Sequence, residues 1–200
     1  MIWVKLINWI PMILMGLVFL WLLFLEIRWD LKAKNARNGL IAILMITLLQ
    51  VAAKIIYLYI SLKASPMGNY LLPGSGSHYL SEAAWQFLQP AFYSLIVGIG
   101  LIVFLLIIGK IFRSSVIDRL DIYIILMTIV AVGHKSAPIL ILGSFLIMVL
   151  TNLFYRFFKH GSKEMRLQIG AFLIISAFII LIIKNFMFYN VFLQIIHITI

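Results

Sequence analysis

The chain has 200 residues, 64% of them hydrophobic and 11% charged, with a formal net charge of +10 and no cysteine. Soluble domains run nearer roughly 45–50% apolar and about 25% charged, so the composition excludes an ordinary soluble domain and points to an integral membrane protein. The missing thiols exclude disulfides, cysteine nucleophiles and cysteine-ligated zinc or iron–sulfur centres.

In chain order, six apolar segments are predicted as crossings, at about residues 8–25, 39–60, 88–109, 116–132, 138–155 and 167–183. Each is near the roughly 20 residues a helix needs to span a bilayer. The first, preceded only by Lys5 and lacking a small-residue cleavage site, reads as a retained span and not a signal peptide. The fourth and fifth flank Gly133-His134-Lys135-Ser136-Ala137-Pro138 and read as a helical hairpin. Residues 61–87, with Pro66, Gly68 and the run Pro73-Gly74-Ser75-Gly76-Ser77, read as a long, flexible polar loop. No Gly-Lys-Ser/Thr follows that run, so it is not a phosphate-binding loop. Residues 185–200 read as interfacial, with a seventh crossing as the other reading. The expected fold is an all-α, polytopic membrane helical bundle of about six transmembrane helices, forming a single domain over residues 1–200.

Charge orients the bundle. Eleven of the sixteen basic residues fall in three alternate loops: Arg28, Lys32, Lys34 and Arg37; Lys110, Arg113 and Arg119; Arg156, Lys159, Lys163 and Arg166. Cytoplasmic loops carry the excess of Lys and Arg, so these three loops are expected in the cytoplasm and both termini outside, in a multi-pass protein of the plasma membrane. The net charge is then matched to anionic lipid headgroups, not to nucleic acid.

There are six acids: Glu26, Asp30, Glu82, Asp118, Asp121 and Glu164. A carboxylate at the edge of a span is costly and is a functional candidate by default. Asp30 ends the first span, and Asp118 and Asp121 open the fourth, three residues apart and so on one helical face. Each has a plain structural reading as well: Asp30 as a solvated loop acid, Asp118 and Asp121 as caps favoured by the helix dipole. His78, His134, His160 and His197 do not cluster by spacing, and no metal site is expected. Gln50 and Lys54, four apart, share a face of the second helix. Lys54 reads as a cation snorkelling to the external surface, with an interior role as the alternative.

The segment from Asp30 resembles the first catalytic motif of the type IV prepilin peptidase family of membrane aspartic proteases. Asp30, Leu31, Lys32, Lys34 and Asn38 are in register with it, and Arg37 stands where the family has proline. The family's Gly-x-Gly-Asp motif corresponds to Asp118-Arg119-Leu120-Asp121, which keeps the aspartate but neither glycine. Ile169-Gly170-Ala171-Phe172-Leu173 is similar to a Phe-Gly-Pro-Phe-Leu element near the family's last span.

The resemblance implies a catalytic pair, Asp30 and Asp121, with Asp118 in reserve and Lys32, Lys34 and Asn38 supporting the site or the substrate. One aspartate would act as general base on water while the other, protonated, polarises the scissile carbonyl. The implied substrates are prepilin-like membrane proteins with short basic leaders, cut at the cytoplasmic face. No metal or organic cofactor is implied, and without the cysteine-bearing loop of the bifunctional members the expectation is cleavage without methylation. The missing glycines motivate a second reading: a non-catalytic membrane homologue serving as a component of a pilus or secretion assembly.

Overall fold

No water is available inside a bilayer to satisfy peptide groups, so a crossing segment must bond its own backbone. The computed structural model describes residues 2–28, 31–66, 68–72, 78–111, 119–158 and 169–184. Those residues form six helices: α1 (Ile2–Ile27), α2 (Ala33–Ala64), α3 (Tyr79–Ile111), α4 (Arg119–Val132), α5 (Ala137–Phe158) and α6 (Ile169–Ile183). Short 3-10 turns occupy Gly68–Leu71 and His134–Ser136, and there is no strand among the described residues. Residues 185–200, expected at the interface, lie outside the described residues.

Among the described residues, four stretches are long and apolar enough to cross a membrane: Leu6–Ile27, Ala33–Ala64, Tyr79–Ile108 and His134–Thr151. The chain is an all-α membrane bundle. α4 has only 14 residues and α6 only 15, about 21 and 23 Å at the usual helical rise.

The structure corrects the expected boundaries in one direction. α2 continues past residue 60 to Ala64, and α3 begins at Tyr79, not at 88. The loop expected over 61–87 is thereby reduced to residues 65–78, part of it a 3-10 turn. Hydropathy marks only the portion of a helix that sits in hydrocarbon. Ser61, Lys63, Ser81, Glu82 and Gln86 continue the same helices where polar side chains meet water.

α4 is the axis of the bundle. Ile124, Ile125 and every residue from Met127 to Val132 are buried. It packs against α2, α6 and α3, while α1 packs on α2 and α6, and α5 on α6. Phe19 and Leu22 of α1, Ile43 of α2, Met127 of α4, Leu140 of α5 and Ile174 of α6 are fully buried in one core. Lipid is as apolar as these side chains, so close packing and not water exclusion holds the helices together. The outer surface is the inverse of a soluble protein's. Trp9, Ile13, Leu17, Leu20 and Phe24 of α1 recur at helical spacing and are all exposed, as suits a face against acyl chains.

Two hydroxyls within this apolar interior are satisfied by their own helix. The buried Thr128 hydroxyl donates to the Ile124 carbonyl at 2.8 Å, and Thr47 does the same to Ile43 at 2.8 Å. The exit from α4 is built on Gly133, whose φ of 91° and ψ of 150° place it in a region open essentially to glycine alone. Gly133→Ala is expected to cost about 1–3 kcal/mol, read as a lower midpoint in unfolding by sodium dodecyl sulfate.

Candidate functional site

Polar groups gather at both ends of α4. At its N-terminal end, Arg119 and Asp121 lie in the first turn, and the Asp121 side chain is partly buried. A carboxylate there complements the unpaired amides of the helix start. The opening of α6 closes on it: a Cβ placed on Gly170 would lie 3.5 Å from Asp121 Oδ1 and 2.6 Å from Ile124 Cδ1. A side chain at position 170 would push into this contact, so glycine lets the α6 backbone lie against the carboxylate.

The third wall is the end of α1. Glu26, half-buried in its last turn, lies within electrostatic range of Asp121. Arg28 is folded back over the Phe24 ring, its guanidinium carbon 4.2 Å from the ring centre. α2 starts at this same end: Lys32 stands at its N-terminus without making a side-chain cap, and Lys34 and Asn38 are exposed on its first turns. Asp30 and Asp118 lie outside the described residues.

α1 and α4 each pack against α2 and α6. The two helices approach around Gly39 of α2, where an added Cβ would meet Leu22 of α1 at 2.9 Å and Met127 of α4 at 3.1 Å. Sequence reading passed over Glu26, although its position four residues before Asp30 in so acid-poor a chain was the available signal.

At the C-terminal end of α4 lies a cavity of about 470 Å³, bounded by α1, α2, α3 and the α4–α5 turn. Buried helix ends must find partners for their last carbonyls, and here Lys184 supplies one, its ammonium donating to the Val132 carbonyl at 3.0 Å. Much of the Lys184 side chain is exposed, but the ammonium turns inward. Desolvation, and after it the charge of Lys54, push Lys184 below the usual lysine range. The His134 amide donates to Ser94 Oγ at 2.9 Å, and that hydroxyl donates to the Pro90 carbonyl at 2.6 Å. Ser94→Ala removes the acceptor for a part-buried amide and is expected to cost about 1 kcal/mol, measured by the same detergent unfolding.

Gln50 and Lys54 share a face, as their spacing predicts, and both line this cavity. α2 runs on to Ala64, but the polar Ser61 and Lys63 follow residue 60, so Lys54 stays about six residues, or roughly 9 Å, from the edge of the apolar stretch, within reach of the surface for a lysine side chain. It is only partly exposed and lies 6.0 Å from the Phe87 ring centre. No group of His, Asp or Glu able to hold a metal ion occurs among the described residues.

No family model, curated protein or solved structure matches this chain.

Proposed function

We propose that this protein is a membrane aspartic endopeptidase of the prepilin peptidase type. It acts at the cytoplasmic face of the plasma membrane on prepilin-like substrates with basic leaders. Asp30 and Asp121 form the catalytic pair, with Asp118 in reserve. The observation that supports this reading best is the setting of Asp121: partly buried, against the α6 backbone at Gly170, and within electrostatic range of the acidic end of α1. A water held by the charged carboxylate loses a proton as it attacks the scissile carbonyl, and the neutral carboxyl stabilises the oxyanion that forms.

Substrate recognition at this end must reconcile two charges. Lys32, Lys34 and Arg37 are exposed and repel a basic leader, whereas Glu26 and Asp121 attract it. Lys32, Lys34 and Asn38 are assigned to supporting the site and to contacts with the substrate backbone or lipid phosphates. The test is cleavage of candidate prepilins by the purified protein beside its Asp30→Asn and Asp121→Asn variants. Loss of cleavage in both variants supports the pair; retention in either removes that residue from the mechanism.

Asp118-Arg119-Leu120 in place of the glycine turn favours the second reading, a non-catalytic component of a pilus or secretion assembly. It is the reading left if the parent protein cleaves no candidate.

A further inference from the structure

The cavity at the far end of α4 places two lysines together with no acid beside them among the described residues. Lys54 and Lys184 come from different helical segments, line the same space and repel each other. Lys135 lines it too, and none of the described acids, Glu26, Glu82 and Asp121, does. Taking one ammonium out of water is costly, and taking two into one apolar-walled space without a counter-charge is more so. His134 adds an independent sign of a missing partner: its Nδ1 is buried and has no hydrogen-bond partner among the described residues. Met12, Val51 and Phe87 contribute apolar wall. The volume falls in the range of about 300–1,000 Å³ typical of small-ligand sites.

We propose that this cavity binds the phosphate group of an anionic membrane lipid, with Lys54 and Lys184 as its cationic partners and the apolar wall seating the glycerol and first methylenes. A phosphate accepts from ammonium groups as from point charges. Lys184 commits one N–H to the Val132 carbonyl and keeps the others for an anion. The proposal is independent of the catalytic reading, because Asp121 and this cavity stand at opposite ends of α4.

The experiment follows thermal unfolding of the full chain in a neutral detergent with added phosphatidylglycerol, phosphatidylcholine or inorganic phosphate. Phosphatidylglycerol is expected to raise Tm by about 3–5 °C at ten times its Kd, and zwitterionic phosphatidylcholine to leave it unmoved. Lys54→Gln is expected to weaken the phosphatidylglycerol response about tenfold in Kd, and Lys54→Arg to keep it. Lys54 carries the mutational test because Lys184 also caps α4, so its loss acts on folding as well. An equal response to phosphatidylcholine, no response to phosphatidylglycerol, or an undiminished response in Lys54→Gln overturns the proposal. An equal shift with inorganic phosphate alone assigns the site to the free anion and overturns the lipid as its source.

Discussion

Asp121→Asn is expected to lower the rate of prepilin cleavage by about a thousandfold, within the roughly 10²–10⁴ that a positioned acid or base contributes. The two side chains have nearly the same shape, so α4 keeps its first turn and the bundle its packing. The amide cannot take up a proton from water and cannot serve as the charged member of a pair. The loss should therefore fall on kcat while KM changes little, the pattern of an interaction made in the transition state. Cleavage is read from the shortened product on a gel over a time course, with Tm recorded to show that the variant is folded. Glu26→Gln gives the contrast: it removes a neighbouring charge but leaves Asp121 in place, so it is expected to shift the pH profile more than the maximal rate. A folded Asp121→Asn protein that cuts at the parent rate would end the aspartic protease reading.

The largest effect on stability is expected at Met127. It is fully buried on α4 and, with Leu22, closes on Gly39 of α2. Met→Ala in a closed core costs about 2–5 kcal/mol in water. In a bilayer the unfolded reference already sits in apolar surroundings, so the transfer component falls away and the lost contacts remain. Met127→Ala is accordingly placed at the lower end, about 2–3 kcal/mol, measured by unfolding in mixed micelles. Leu142 on α5 is the matched control. It is 69% exposed, acyl chains fill the space its truncation leaves, and Leu142→Ala should stay within about 0.5 kcal/mol of the parent.

Hydropathy alone made the helical class legible, because a bilayer admits few backbone solutions and this chain has six apolar runs. It also located the α4–α5 reversal, where Gly133 interrupts two such runs. Helix ends were less legible. The continuations of α2 and α3 carry Ser, Lys, Glu and Gln, which look like loop in a hydropathy profile although their backbone is helical. The central place of α4 was not legible at all: Ile124–Val132 reads like any other span, and only packing distinguishes a helix surrounded by protein from one surrounded by lipid. Spacing put Gln50 and Lys54 on one face, but nothing local brings Lys184 to meet Lys54, since their approach depends on how α2, α4 and α6 pack. At the acidic end, Asp121 and Gly170 lie far apart in the sequence and the fold sets them side by side. The relation of Glu26 to Asp121 is likewise purely spatial.

The helix on the axis has 14 residues, about 21 Å, against about 30 Å for the hydrocarbon of a typical bilayer, while α2 and α3 have 32 and 33 residues. So short a helix cannot carry both of its ends to the headgroups, and its terminal peptide groups depend on neighbouring protein for their partners, as the Val132 carbonyl does on Lys184.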